Sequence, residues 1–126
     1  MAKLGAIDHI DIVVVNPGEI ARFLVSLGFT LVRETDHSGG SIELTFPSDP
    51  QMGVVLELVP RGDGDDQHPL GLRHIGLKSD DIEALHRQLK ATGYTVDNVR
   101  VIEATGRKLF NICGPEGNFL QVVDCK

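Results

Sequence analysis

The chain contains an internal repeat, and the first 26 residues of its two copies align without a gap. The stretch IDHIDIVVVNPGEIARFLVSLGFTLV (7–32) matches LRHIGLKSDDIEALHRQLKATGYTVD (72–97), with each residue paired to the one 65 positions later. A second stretch, FPSDPQMGVVLELV (46–59), matches FNICGPEGNFLQVV (110–123) with a spacing of 64. A chain built from two equivalent halves is restricted to folds in which one structural motif occurs twice. The identities in the first stretch include His9 and His74, Ile10 and Ile75, Leu24 and Leu89, Gly28 and Gly93, and Thr30 and Thr95.

Each copy begins with alternating apolar residues, which is the pattern of a half-buried strand. A polar break follows, in which Pro17 suits a first helical turn and Ser79 or Asp80 suits a helix cap. Gly28 and Gly93 then stand where a left-handed residue commonly ends a helix. Between break and glycine, helical spacing relates Ile20, Phe23, Leu24 and Leu27 in the first copy and Ile82, Leu85 and Leu89 in the second.

The two alignments together make each copy a strand, a helix and three further strands. We therefore expect an α+β fold of two βαβββ modules, residues about 5–60 and 70–124, in a single domain spanning 1–126. The glycine- and aspartate-rich stretch 60–71 is the expected linker. The copies are too short to be two independent domains, so we expect half-domains with curved sheets around a cavity.

Four polar residues occupy equivalent strand positions in the two copies. His9 and His74 lie on the first strand of each copy, and Glu57 and Gln121 lie on the last. Alternation places all four on the face away from the helix. A single strand histidine is more often a core or surface residue, but the repeated pairing favours ligation. Two imidazoles, a carboxylate and an amide oxygen suit one divalent metal ion, such as Zn, Ni, Co, Mn or Fe.

The same alternation identifies candidate substrate contacts. Asp11 shares the side of His9, and Phe119 shares the side of Gln121. Arg107 and Asn111 face the same way from the second copy. Arg107 suits an anionic substrate group, although an ordinary solvated strand charge explains it equally well. Asp11 either supports a metal ligand or an arginine or lines the cavity. Glu43 and Thr45 also point to this side.

Composition excludes several other classes of function. The 126 residues carry a net charge of −6, which argues against binding to nucleic acid or to anionic membranes. No apolar run approaches the roughly 20 residues of a membrane helix, and the N-terminus does not resemble a secretory signal. Two cysteines, Cys113 and Cys125, form neither a disulfide framework nor a C-x-x-C site. We expect a cytoplasmic protein with a small-molecule substrate.

The combined pattern resembles the vicinal oxygen chelate superfamily. This superfamily contains glyoxalase I, extradiol dioxygenases, methylmalonyl-CoA epimerase, fosfomycin-resistance enzymes and bleomycin-resistance proteins. The resemblance implies paired βαβββ modules with metal ligands at the positions of His9, Glu57, His74 and Gln121. The stretches that carry it are DHIDIVV, FLVSLGF, VVLELV, RHIGLKSDDIEALHRQLKATGY and GPEGNFLQVV.

Two departures from the superfamily pattern narrow the function. Gln121 stands where most metal-using members have Glu, which leaves Glu57 as the one general base and argues against an extradiol dioxygenase. Glutathione-dependent glyoxalases tend to carry Arg four residues after the first ligand and Asn four after the Glu. Here those positions are Val13 and Arg61, which argues against a glutathione substrate.

The resemblance implies a glyoxalase-like lyase or isomerase. A substrate with two neighbouring oxygens would chelate the metal, and Glu57 would leave the metal and remove a proton. The alternative is a non-catalytic protein that sequesters a ligand, as bleomycin-resistance proteins do. Such proteins offer more aromatic surface than the one Tyr, five Phe and no Trp present here. We also expect a homodimer in which His9 and Glu57 of one subunit meet His74 and Gln121 of the other.

Overall fold

The computed structural model describes residues 2–47, 53–62, 69–116 and 118–125. It confirms the α+β class and the order βαβββ in each copy. A short 3-10 turn, His37–Gly39, separates β2 from β3. The first copy consists of β1 (Leu4–Val14), α1 (Pro17–Ser26), β2 (Thr30–Glu34), β3 (Ile42–Thr45) and β4 (Val55–Pro60). The second consists of β5 (Gly71–Ser79), α2 (Ile82–Ala91), β6 (Arg100–Val101), β7 (Lys108–Cys113) and β8 (Phe119–Asp124).

The chain divides into two compact units, and the division falls inside β1. The first unit is His9–Arg73, and the second is Met1–Asp8 together with His74–Lys126. In the first unit the strand order is β2-β3-β4-β1, with β1 parallel to β4 and the other pairs antiparallel. In the second unit the order is β5-β8-β7-β6, with β5 parallel to β8 and the other pairs antiparallel. Each unit thus has a parallel pair formed by its first and last long strands.

The core of the first unit lies between α1 and one face of its sheet. Leu44 and Leu58 are fully buried there, as strand alternation predicts. The helix contributes Ile20 and Leu24, but Phe23 and Leu27 are 60% and 58% exposed. These two were expected on the apolar stripe of α1. The contacting stripe is narrower than the apolar sequence, because Ile20, Ala21 and Leu24 already cover the sheet.

The core of the second unit is built from α2 and the inner face of β7 and β8. Ile82, Leu85, Phe110 and Val122 are buried in it, and Leu89 packs against them. The expected helix cap is wrong by one or two residues. Asp81 caps α2 by accepting a hydrogen bond from the Ala84 amide at 3.1 Å, while the Ser79 hydroxyl accepts one from the Asp81 amide at 3.3 Å. Pro17 opens the first turn of α1 as expected, with Asn16 as its cap.

Both helices end as the repeat predicts. Gly28 and Gly93 adopt φ values of 105° and 95°, a left-handed backbone that favours glycine. The following residues, Phe29 and Tyr94, turn the chain back by donating their amides to Leu24 and Leu89, respectively. Within the described residues, neither helix is long and apolar enough to cross a membrane.

Candidate functional site

The sheet face opposite α1 carries a row of charged residues across all four strands of the first unit. In the strand register Asp11 lies opposite Glu57, Glu57 opposite Glu43, and Glu43 opposite Arg33. The residues on either side of Glu57 and Glu43 along each strand point into the core, so these carboxyls point away from it. We call Asp11, Glu57 and Glu43 the carboxyl row. Such a row concentrates proton-binding groups in one place.

Asp11 is the buried end of the carboxyl row. It is only 2% exposed and forms a side-chain hydrogen bond with Glu57. Burial and the neighbouring negative charge of Glu57 raise the pKa of Asp11 to about 7, against the opposing effect of Arg73 and His9. The Arg73 guanidinium lies 3.8 Å from the Asp11 carboxylate. Near neutral pH, Asp11 therefore retains a proton for part of the time.

Glu43 closes the other end of the carboxyl row. Its carboxylate accepts a hydrogen bond from the Arg33 Nε at 3.0 Å, so its charge is compensated at the edge of the sheet. Glu57 lies between the buried Asp11 and the ion-paired Glu43. It is the member of the row with carboxyls on both neighbouring strands.

The two metal ligands predicted in the first unit, His9 and Glu57, lie on this face of the sheet. His9 is 8% exposed and lies opposite Val55, two positions before the pair formed by Asp11 and Glu57. Since both strands alternate in step, His9 and Glu57 project from adjacent strands on the same side. Each is fixed by a parallel strand pair rather than by a loop.

The other two predicted metal ligands, His74 and Gln121, lie together in the second unit. His74 is 4% exposed, and its ring packs 5.1 Å from the ring of Phe119. Gln121 lies opposite Gly76, two residues after His74, so His74 and Gln121 project from the same face of β5 and β8. Phe119, expected to contact substrate, rests against the His74 ring.

Arg107 and Asn111 have partners within the protein. The Arg107 guanidinium makes two hydrogen bonds to the Asp8 carboxylate, at 2.9 and 3.2 Å, and one to the Asp124 carbonyl at 2.6 Å. The Asn111 amide group donates to Asp97 at 3.0 Å. Arg107 therefore carries a compensated charge and ties the start of β1 to β8.

The predicted metal ligands do not form a ready cluster within either unit. Across residues 2–47, 53–62, 69–116 and 118–125, no three His, Cys, Asp or Glu side chains are arranged to hold a metal ion. Each unit instead contributes one imidazole and one oxygen donor to the predicted set of four. The donor chemistry fits a divalent cation, because imidazole nitrogens, a carboxylate and an amide oxygen are ligands that such cations accept.

Two arginines that contact the carboxyl row were not identified as site residues from the sequence. Arg33 belongs to β2, and only the strand register places it opposite Glu43, which strand alternation had already placed on this side. Arg73 precedes His74 and by alternation was expected to face the opposite way on β5, so its contact with Asp11 was not predicted.

Comparison with known proteins identifies the superfamily. The model of the Glyoxalase/Bleomycin resistance protein/Dioxygenase superfamily matches residues 6–122. No curated protein sequence matches the chain. Several solved structures resemble the chain at sequence identities of 15 to 21%, and such a resemblance shows a shared fold.

Among these structures, methylmalonyl-CoA epimerase from Mycobacterium tuberculosis has a TM-score of 0.77 at 20% identity, covering 94% of this chain and 86% of that one. A second methylmalonyl-CoA epimerase has a TM-score of 0.79 at 15% identity, covering 97% of both chains. A variant of the Streptomyces coelicolor epimerase in complex with 2-nitronate-propionyl-CoA has a TM-score of 0.77 at 21% identity, covering 97% of this chain and 98% of that one.

The buried Asp11 makes stability depend on pH. Because its pKa is raised from about 3.9 when unfolded to about 7 when folded, its stabilising proton is fully retained below about pH 4 and is lost as pH rises through 7. In protein treated with a chelator, the wild-type free energy of unfolding should fall by about 2 to 4 kcal/mol over this range relative to Asp11→Asn. Urea denaturation at several pH values measures the difference. The exposed Asp36→Asn variant is the control, and equal pH profiles for the wild type and Asp11→Asn would contradict the assignment.

Proposed function

The chain belongs to the Glyoxalase/Bleomycin resistance protein/Dioxygenase superfamily, and we propose that it is a glyoxalase-like enzyme that transfers a proton on a small, oxygen-rich substrate. The reaction class is an isomerisation, including epimerisation, or a lyase reaction. The observation that carries the proposal is the position of Glu57 in the middle of the carboxyl row, where it forms a hydrogen bond with the buried Asp11.

Glu57 is the proposed general base. A C–H bond next to a substrate carbonyl would break, with the proton passing to the Glu57 carboxylate and the electron pair remaining on the substrate as an enolate. Asp11 limits the charge that accumulates around Glu57, because its own raised pKa keeps it protonated part of the time. Return of the proton from Glu57 to carbon or oxygen completes the turnover. The acid-base chemistry then resides in the first unit.

The proposed cofactor is one divalent metal ion. His9 and Glu57 of the first unit and His74 and Gln121 of the second are the proposed ligands. When bound, the ion would supply Lewis-acid polarisation of two neighbouring substrate oxygens. The burial of both imidazoles supports ligation, because their orientation is fixed by packing before any ion binds.

Glu57→Gln should abolish proton exchange on substrate carbon. Metal-loaded protein would be incubated in D₂O with methylmalonyl-CoA, 2-oxo thioesters, hemithioacetals and 2-hydroxy ketones, and the carbon-bound proton followed by NMR. The rate should fall at least about 100-fold in Glu57→Gln, because the amide cannot accept the proton. Glu34→Gln, an exposed change in the same unit, should leave it unchanged. Exchange that survives Glu57→Gln would exclude Glu57 as the base, and no exchange by wild-type protein on the whole panel would favour ligand sequestration.

Metal retention should depend on both histidines. Protein purified without an affinity tag would be stripped, reloaded separately with Zn, Ni, Co, Mn or Fe and desalted, and its metal content measured by elemental analysis. About one ion per chain is expected for the best-bound metal, falling at least tenfold in His9→Ala and in His74→Ala but not in His37→Ala. Retention that is equal in all three variants would contradict the proposed ligands.

A homodimer is the proposed assembly. The edge strand β2 is exposed along its whole length, and Phe23 and Leu27 form an exposed apolar pair four residues apart on α1. A second copy of the chain would cover this apolar pair. Sedimentation at micromolar concentration should give about twice the chain mass, and Phe23→Ser should shift the protein towards a monomer. A wild-type monomer at that concentration would contradict the proposal.

A further inference from the structure

A cavity of about 190 Å³ lies in the first unit, one side-chain position beyond the carboxyl row. Its floor includes Val13 and Val59, which pair with each other in the strand register. Val13 follows Asp11 by two residues, and Val59 follows Glu57 by two. Strand alternation therefore puts the cavity on the same face of the sheet as the carboxyl row. A ligand in this cavity would therefore be in line with Glu57.

The walls of the cavity carry an excess of positive charge. Arg61 and Arg73 both line it. Arg73 pairs with the Asp11 carboxylate, and no ion pair between described residues involves Arg61. The Arg61 amide donates to the Val14 carbonyl at 2.8 Å, which fixes the residue at the end of β4. Two guanidinium groups at one small cavity form a site that suits a carboxylate or a phosphate.

Ser38 completes the wall from the turn before β3. Its backbone is left-handed, with φ 54° and ψ 31°, and among the described non-glycine residues no other has a positive φ. The turn is held in place by a 2.7 Å hydrogen bond between the Thr35 and Ser41 hydroxyls and by the Ser41 amide donating to His37. Strained backbone that the surrounding structure holds in place is often found where a protein contacts a ligand.

We propose that this cavity binds an anionic group, a carboxylate or a phosphate, at the end of the substrate remote from the reacting carbon. Arg61, Arg73 and the Ser38 hydroxyl are its contacts. That the anion belongs to the reacting substrate rests on the proposed function, but binding of the anion itself does not. The proposal assigns Arg61 a role in place of Arg107, whose guanidinium is occupied by Asp8.

Strand spacing sets the length of the substrate. Val59 and Arg61 lie two and four residues beyond Glu57, which corresponds to about 7 and 13 Å along β4. Three bonds of an extended chain span about 3.8 Å, so the shorter distance needs about six bonds. The structure thus favours a substrate with a chain of this length or more between the reacting carbon and its anionic end, and disfavours hemithioacetals of very small thiols.

Anion binding can be measured without catalysis or metal. Isotope-labelled, metal-free protein would be titrated with inorganic phosphate or with succinate at constant ionic strength, following backbone amides and arginine Nε–H signals by NMR. Saturable shifts are expected at Ser38, Arg61 and Arg73. Arg61→Gln should weaken binding at least tenfold, whereas Arg87→Gln, an exposed charge removal on α2, should leave it unchanged. Tighter binding of phosphate indicates a phosphorylated substrate, and tighter binding of succinate a carboxylate-ended one.

The anion-binding experiment and the deuterium-exchange experiment can fail independently of each other. Arg61→Lys keeps the charge but loses the planar fork, so it should bind more tightly than Arg61→Gln and more weakly than wild type, which guards against a folding defect. Shifts that do not saturate, or equal binding by wild type and Arg61→Gln, would overturn the subsite even if deuterium exchange succeeds. Saturable, Arg61-dependent binding without any deuterium exchange would uphold the subsite and count against the enzyme.

Discussion

The parallel pairing of β1 with β4 brings two carboxyl groups side by side, and the organisation of the candidate site depends on that contact. Asp11 and Glu57 are opposite each other in the register, and Asp11 is almost fully buried. Two ionised carboxylates in that position would repel each other, so burial and the charge of Glu57 raise the pKa of Asp11 to about 7. A slip of one residue in either strand would turn these groups into the apolar core, which makes the register well determined.

The charges around that pair are arranged in order along and across the sheet. Arg33 compensates Glu43 at the edge of the sheet, and Arg73 compensates Asp11 near the cavity. Glu57 lies between them with carboxyl neighbours on both sides. A proton acceptor is thus flanked by groups that limit local charge, and a positively charged cavity lies beyond it on the same face. This arrangement suits an anionic, oxygen-rich substrate held at one end and deprotonated at the other.

The repeat and the two-residue period of strands predicted most of the fold, because both are local or internal properties of the sequence. They placed Glu57 and Asp11 on the face away from the helix, where the strand register puts them opposite each other. Helix packing was less predictable: Phe23 belongs to the apolar pattern of α1 but is exposed. The contacts of Arg73 with Asp11 and of Arg107 with Asp8 join residues distant in sequence, and only the folded chain reveals them.

The central claim is that burial and the neighbouring Glu57 keep Asp11 protonated for part of the time near neutral pH, and it is tested most directly by titrating the carboxyl ¹³C signal of Asp11 by NMR in chelator-treated protein. We expect a midpoint at about pH 7 in the wild type. In Glu57→Gln the midpoint should fall, since a neighbouring charge is removed, yet remain above the ordinary value of about 3.9, since burial persists. A wild-type midpoint near 4, or one that Glu57→Gln leaves unchanged, would contradict the account.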